Sequence, residues 1–361
     1  MKNQFLHFQR RASIWSLLLL SLLLVNCGTE DVDFIDPYEF VNEDFNDIPN
    51  LAEIEDADPV IIEPEVGSVD NSAETQAIID DILNAGPDGE ISQESRTKLA
   101  GVGAFTADLP ASINERAQTL DAAGIASIMD ESTPLDTDLE ELSAALANAP
   151  EEIRMLLPRI NFTVDLEGLR AVTNPNIKNQ VLPGFDGFNL VSQTISNPCE
   201  EAAYEAYELR IEELIEQADA NYFIIESNYA RRLDETDVRY EERTGLQEER
   251  YAESKAEIIA TLENLLLTAQ QLENMGETEL AAQLRELTLM YAVAARNALI
   301  EWDILVAELL VDFMEKEKAQ ALEIRERLTT QVNTDFETVE DMADARLTTA
   351  VNNCHNQGSG N

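Results

Sequence analysis

Histidine, cysteine and lysine are scarce in this sequence. Its 361 residues include two histidines, three cysteines and six lysines, and His355 is the only histidine beyond residue 26. A di-iron site built on paired Glu-x-x-His motifs is therefore excluded, and a Ser-His-Asp arrangement would depend on that one histidine near the chain end. The stretch GVGAF at 101–105 lacks the third glycine of a phosphate-binding loop. We predict no catalytic residue, no cofactor and no metal site.

Positive charge is scarce as well. The formal net charge is −47, and no basic residue lies between Arg11 and Arg96. All 71 acidic residues lie beyond residue 26, where 21 basic residues leave a net charge of −50. So acidic a chain does not bind nucleic acid by displacing counterions, and anionic lipid headgroups repel it. Its composition is typical of salt adaptation, and the charges it attracts are basic partners or cations.

The first 26 residues are predicted to be a secretory signal peptide. Lys2, Arg10 and Arg11 precede an apolar run of 12 residues at 14–25. A helix that spans a membrane needs about 20 apolar residues, so this run is too short. A basic start followed by a short apolar core is the pattern of a cleaved export signal.

The residues that end the apolar run are Leu24, Val25, Asn26 and Cys27. They resemble the lipobox of bacterial lipoproteins, although Asn26 stands where Gly, Ala or Ser is usual. The resemblance implies cleavage before Cys27, acylation of Cys27 with fatty acids such as palmitate, and anchorage in the outer membrane of the cell envelope. Several acyl chains on one residue give lasting attachment. The acids that follow resemble a surface-export signal of Bacteroidetes-type bacteria, which leaves both the periplasmic and the surface face open.

Residues 27–71 are predicted to form an acidic, disordered tether. They are crowded with Asp and Glu, contain four prolines and lack apolar periodicity. We therefore expect the folded body to be equally stable with and without them. Aromatic residues interleave with the acids in DFIDPYEFVNEDF at 33–45, so docking of this part on a basic, apolar groove is the alternative.

Residues 72–198 are predicted to form a body of short helices that ends in an irregular loop. SAETQAIIDDILNAG opens with a serine cap at Ser72 and ends at Gly86. The following DG loop resembles a calcium loop, but a plain turn fits better because the third and twelfth ligands are missing. The proline- and glycine-rich loop at 161–198 fits either a functional loop or a lid over the helical core.

Residues 199–355 are predicted to form a long antiparallel helical hairpin, and 356–361 a disordered tail. No proline lies between residues 200 and 353, and apolar residues recur in steps of three and four, as in a heptad repeat. The pattern breaks at Gly276, which marks the turn. The fold class is therefore all-α: a coiled-coil-like hairpin with a smaller body of short helices packed on it.

The segment 299–314 is apolar nearly all round, which predicts burial on every face under the short helices. Asp303, Glu308 and Asp312 interrupt it, and insertion into a membrane is the alternative.

The two remaining cysteines are predicted to form a disulfide. Exported proteins meet an oxidising compartment, and Cys199 and Cys354 lie at equal distances from the turn at Gly276. An antiparallel hairpin therefore brings them to the same level. Free thiols, or a zinc site formed with His355 and an acid, are the alternatives.

These predictions describe a lipid-anchored envelope lipoprotein that acts without catalysis as a spacer, adaptor or binding module. Its expected partners are the membrane, through the anchor, and a protein of the envelope. The alternative is a solute-binding protein or a carboxylate-based enzyme with a helical cleft, although no two carboxylates stand out in so acidic a chain.

Overall fold

The computed structural model describes residues 45–86, 89–162 and 197–357. In these residues eight helices and two short strands follow one another along the chain. They are β1 (Ser68–Asp70), α1 (Ala73–Ala85), α2 (Gln93–Thr106), α3 (Ala111–Gln118), α4 (Ala122–Ile128), α5 (Thr137–Ala147), α6 (Glu151–Arg154), β2 (Arg159–Asn161), α7 (Pro198–Asn274) and α8 (Thr278–Gln357). The long helices α7 and α8 pack against each other and short helices pack on them, which confirms the predicted all-α fold.

The chain divides into two compact units. Among the described residues, unit 1 contains 45–52, 197–220 and 332–357, and unit 2 contains 53–86, 89–162 and 221–331. The predicted boundaries separated a body from a hairpin, whereas each unit combines an N-terminal segment with parts of both long helices.

The turn between the long helices lies at the predicted glycine. Gly276 has a φ of +83°, and its amide donates to the carbonyl of Glu273 at 3.0 Å. The amide of Glu277 donates to the carbonyl of Leu272 at 2.9 Å. These two bonds form the Schellman motif, which satisfies the last carbonyls of a helix when the next residue adopts a left-handed conformation. Glycine adopts that conformation without the steric penalty of a Cβ atom.

Buried positions recur every eleven residues along both long helices. On α7 they are Cys199, Arg210, Asn221, Arg232, Arg243, Ser254 and Leu265, and Ala203, Leu214, Ile225, Thr236, Gln247, Ile258 and Ala269. On α8 they are Leu284, Ala295, Val306, Glu317, Leu328, Val339 and Ala350, and Thr288, Leu299, Leu310, Ala321, Val332, Ala343 and Cys354. Eleven residues make three turns of about 3.67 residues. The heptad interpretation is therefore correct for the local steps and wrong for the long-range period.

The core of unit 2 lies between the short helices and the facing parts of α7 and α8. Side-chain caps start four of these helices, at Ser72, Ser92, Asp121 and Asp136. Each capping side chain accepts a hydrogen bond from a backbone N–H group that has no acceptor within its own helix. The predicted helix after Ser72 is confirmed, because α1 spans Ala73–Ala85 and buries its isoleucines.

Two aromatic side chains of α8 join this core to the N-terminal strand region. Trp302, which is fully buried, donates its indole N–H to the carbonyl of Val66 at 2.8 Å. The hydroxyl of Tyr291 accepts the amide of Ser72 at 3.1 Å and donates to Asn71 at 2.7 Å. Buried polar tips of this kind need partners, and they fix the start of the short-helix body on α8.

The apolar segment 299–314 is buried on one side only. Leu299, Trp302 and Val306 are fully buried, whereas Ile304 is 54% exposed. The prediction of burial on every face is therefore wrong, because the short helices cover only part of this segment. Among the described residues no helix is both long and apolar enough to cross a membrane.

The prediction of a disordered tether is wrong for residues 45–71. Phe45, Ile48 and Leu51 are buried in unit 1, and Val66 and Val69 are buried in unit 2. Composition suggested self-repulsion, but the acids here meet arginines that lie far away in the sequence. We call residues 53–66 the acidic strap.

Other predicted boundaries differ slightly or lie outside the described residues. Helix α8 continues to Gln357, so the predicted tail does not begin at residue 356. Residues 1–44, which include the signal peptide and Cys27, lie outside the described residues, as do 163–196 of the predicted irregular loop.

Substituting two glycines should test the turn. Gly276→Ala should lower the free energy of unfolding by about 1–2 kcal/mol, the cost of a left-handed conformation for a residue with a Cβ atom. A Cβ atom at Gly276 or at Gly245 would meet no atom within 4 Å, so neither change introduces a clash. Gly245 lies inside α7, where Gly245→Ala should instead stabilise by about 0.5–1 kcal/mol. Urea unfolding would measure both, and equal effects of one sign would contradict the assignment.

Candidate functional site

The ends of the long helices are joined by a disulfide in unit 1. Cys199 and Cys354 form this bond, with their Cα atoms 5.7 Å apart, which confirms the predicted pairing. Both residues are buried. The backbone N–H of Cys199 donates a capping hydrogen bond to the side-chain oxygen of Asn197 at 3.0 Å. His355 lies 3.4 Å from Glu200 and is exposed. A disulfide sulfur is not a thiolate, so the zinc alternative loses its two sulfur ligands.

The first described residues bind to the part of α7 that follows this disulfide. The ring of Phe45 packs edge-on against Tyr207, with 6.3 Å between centroids. Arg210 donates to the carbonyl of Ile48 at 2.7 Å and to the side chain of Asn50 at 2.8 Å. The first described residues of the chain therefore lie in unit 1.

Unit 1 also contains a cluster of acids on α8. Burial raises the pKa of Glu340, and the charges of Asp344, Asp341 and Glu337 raise it further. Asp344 accepts a hydrogen bond from the Tyr207 hydroxyl at 2.7 Å. Acids at this spacing lie on one side of a helix, so Glu340 is held among like charges.

A row of arginines on α7 binds the acidic strap in unit 2. Arg232 and Asp56 form an ion pair at 2.5 Å, with side-chain exposures of 4% and 3%. Asp58 lies 2.5 Å from Arg231 and 3.1 Å from Arg232. Charged side chains this deeply buried are found where they are paired, so the strap completes the environment of Arg232.

The arginine row continues at Arg243, eleven residues after Arg232 on α7. Arg243 holds Glu63 of the strap through two bonds, at 2.9 Å and 3.1 Å. On its other side Arg243 meets Glu317 of α8 at 2.8 Å, and Arg239 reaches the same carboxylate at 2.8 Å. Glu317 is 7% exposed, so this part of the seam is polar and charge-paired.

The strap carboxylates respond to these arginines. Hydrogen bonds from Arg231 lower the pKa of Asp58, with a further contribution from Arg232. The hydrogen bonds from Arg243 lower the pKa of Glu63 in the same way. Both carboxylates are therefore held in their charged form by the arginine row.

An open groove of about 570 Å³ lies in unit 2 beside α5, α6, β2 and α8. Leu146, Leu157 and Ile160 supply apolar walls, and Glu151 and Glu301 are its carboxylates. Glu151 is paired with Arg154 at 2.8 Å and with Arg159 at 3.3 Å. The groove has the size of a small-molecule site, but the carboxylate of Glu151 already forms ion pairs with two arginines.

The remaining predicted sites give a mixed result. Cys27 lies outside the described residues, so its lipidation stays a prediction. The loop that resembled a calcium site includes residues 87–88, which are also outside them. Within the described ranges, no group of three or more His, Cys, Asp or Glu residues is arranged to hold a metal ion.

No family model matches the chain, and neither the curated proteins nor the solved structures compared with it include a significant match. Its function is therefore argued from its own residues.

The arginine row, which is Arg231, Arg232 and Arg243 of unit 2, was not predicted from the sequence. Arg232 and Arg243 of this row, and Arg210 of unit 1, lie at multiples of eleven residues from one another on a helix assigned a heptad pattern. That spacing predicts one face of an eleven-residue repeat. Read beside the acidic segment 53–66, it could have indicated an internal partner for those acids.

Substituting the two aspartates that contact Arg232 should have unequal effects on stability. Asp56→Ala should lower the free energy of unfolding by about 3–5 kcal/mol, because it leaves Arg232 buried without that partner. Asp58→Ala is the matched control, since Asp58 contacts the same arginine but its side chain is 57% exposed. It should cost about 0–1 kcal/mol. Urea unfolding of the two variants would contradict the assignment if their losses were equal.

Glu340→Gln should stabilise the protein at neutral pH, because the charged form of Glu340 is disfavoured in the fold. A carboxyl whose pKa is raised on folding favours the folded state while it is protonated. That contribution is lost as pH rises from the unfolded pKa through the folded one. The wild type should therefore lose stability relative to the variant across this window, measured by thermal unfolding between pH 4 and 8. Glu212→Gln, an exposed change on α7, should leave the profile unchanged.

Proposed function

We propose that this protein is a lipid-anchored, non-enzymatic component of the cell envelope that acts as a spacer, adaptor or binding module. Cys27 is its site of lipidation, and the outer membrane is the membrane to which it is attached. Its partners are that membrane and a protein of the envelope, without nucleic acid. The face of the membrane on which it lies is left open.

The observation that supports this proposal best is where the anchor-proximal chain is bound. Phe45, the first described residue after the lipobox-like sequence, packs on Tyr207 in unit 1, and Ile48 accepts a hydrogen bond from Arg210. Seventeen residues lie between Cys27 and Phe45, and the 18 chain steps that join the two span at most about 60–65 Å. An acylated Cys27 would therefore keep unit 1 within that distance of a bilayer.

The disulfide in unit 1 fits this role. It joins the start of α7 to the end of α8 in unit 1, the unit that also contains Phe45. Helix ends fray where they are not tied, and a covalent bond there resists separation of the two helices when the anchor is pulled. It also fits an oxidising compartment, where such bonds persist.

The buried charges support a structural role over a catalytic one. Arg232 pairs with Asp56, and Arg243 pairs with both Glu63 and Glu317. Each charge has a partner of opposite sign, which is the arrangement of groups that stabilise packing and register. A chain with a formal net charge of −50 beyond the signal favours an envelope partner with a basic surface.

A second candidate is a solute-binding protein, or an enzyme that uses carboxylates, and the open groove of unit 2 is the observation that favours it. Its volume of about 570 Å³ is typical of small-molecule sites. Ala298→Trp would fill this groove. A small molecule that raises the melting temperature of the wild type and not of this variant would establish the second candidate.

Substitution of Cys27 tests the anchor. Cys27→Ser should move the protein from the membrane fraction to the soluble fraction, because the acyl chains supply the attachment. Intact mass spectrometry of the wild type should show a chain that begins at Cys27 and carries its acyl groups. The double variant Cys199→Ser/Cys354→Ser is the matched control and should remain in the membrane fraction. Wild type with an unmodified Cys27, or with another N-terminus, would exclude the proposal.

A further inference from the structure

The acidic strap is held to unit 2 by charge more than by apolar burial. Two of its aliphatic side chains face solvent, with Val60 84% and Ile62 64% exposed. The carboxylates on either side of them, Asp58 and Glu63, bind the arginine row. Val66 is buried at the end of the strap. A segment with this distribution resembles a bound peptide ligand more than a strand of a core.

The strap lies against a surface of hydrogen-bond donors. Arg231, Arg232 and Arg243 donate to three of its six carboxylates, those of Asp56, Asp58 and Glu63, and Asn228 donates to Asp56 at 2.9 Å. Glu317 accepts a hydrogen bond from one N–H group of Arg243. Two other N–H groups of Arg243 donate to Glu63. Such a surface selects acceptors, and paired arginine–carboxylate contacts also fix their geometry.

The backbone of the strap is recognised as well as its side chains. The carbonyl of Ala57 accepts from Arg232 at 3.3 Å, and the carbonyl of Val66 accepts from Trp302 at 2.8 Å. Gly67 follows directly, with a φ of +61°, and a Cβ atom there would lie 2.1 Å from the carbonyl oxygen of Asn161. The strap therefore joins the strand β1 through Gly67, where only glycine fits both the backbone conformation and the close approach of the Asn161 carbonyl.

We propose that the arginine row of unit 2 is a binding groove for extended acidic peptides and that the strap is the ligand supplied by the chain itself. The ligand pattern is Asp-x-Asp-x-x-x-x-Glu, as at 56–63. Its two ends match arginines that lie one eleven-residue repeat apart, Arg232 and Arg243. The groove places positive charge on a protein whose acids outnumber its bases about threefold, 71 to 24.

Covalent connection gives the strap an advantage over any free peptide. A ligand joined to its site by a short linker acts at an effective concentration in the millimolar range. The wild-type groove should therefore be closed to a peptide in solution at micromolar concentration. Weakening the strap without removing it should open the groove and leave the arginines available.

The test uses the full chain and a fluorescent synthetic peptide of residues 53–66. The variant Asp56→Asn/Asp58→Asn/Glu63→Gln weakens the strap with changes of nearly equal size. Fluorescence anisotropy should show that this variant binds the peptide at least tenfold more tightly than the wild type does. Adding Arg232→Gln and Arg243→Gln should abolish binding. Adding Arg250→Gln, a change at an exposed arginine of the same helix, should leave it unchanged.

A second probe is the same peptide with Asn, Asn and Gln at positions 56, 58 and 63, which should not bind. Hydrogen exchange should show faster exchange at strap amides of the triple variant, with α8 amides at 299–313 as protected as in the wild type. Absence of binding by a variant whose strap exchanges faster would overturn the proposal. So would binding that survives loss of the two arginines, or strap amides that remain equally protected.

If the triple variant fails to fold, the single variant Glu63→Gln tests whether charge holds the strap in the groove. Glu63 is 68% exposed at its side chain, so this change leaves the buried pair of Arg232 intact. It should speed exchange at the strap amides of residues 61–63 and 65 and give measurable binding of the charged peptide. Unchanged exchange at these amides would overturn the claim that charge holds the strap. The proposal is independent of lipidation at Cys27.

Discussion

Every eleventh residue of α7 and α8 lies in a buried seam, and three helical turns bring the chain back to the same face. This period is close to that of a straight helix, so the same face stays buried without the left-handed supercoil that a heptad imposes. The seam fixes which residues of α7 can be buried, and three of them are Arg210, Arg232 and Arg243. Those arginines need acceptors, and the N-terminal segment supplies them.

The N-terminal segment therefore belongs to the fold as much as the helices do. In unit 1 it offers Arg210 a carbonyl and an asparagine oxygen as acceptors, and in unit 2 it pairs Arg232 and Arg243 with carboxylates. Removing one partner of a buried ion pair leaves an uncompensated charge. The excess of acid in this chain is thus partly a structural resource, because the acidic strap supplies carboxylates to Arg232 and, together with Glu317 of α8, to Arg243.

The sequence allowed the large features to be predicted and concealed the strap. The turn at Gly276 and the pairing of Cys199 with Cys354 followed from local conformation and equal spacing, which need no knowledge of tertiary contacts. The strap could not be found in that way, because its charge and prolines are those of a disordered segment. Its order depends on arginines about 170–180 residues away, and such long-range pairing leaves no local periodicity. The eleven-residue spacing of the arginines was the one visible signal.

The N-terminal residues bound in unit 1 set the reach of the proposed membrane anchor. Phe45 packs on Tyr207 there, and 17 residues lie between Cys27 and Phe45. The 18 chain steps from Cys27 to Phe45 span at most about 60–65 Å. The acidic strap begins at residue 53, after this attachment, so its release from the arginine row would leave that span unchanged. The two bound parts of the N-terminal segment therefore have separate roles: residues 45–52 would limit the distance between unit 1 and a membrane, and residues 53–66 neutralise buried arginines of unit 2.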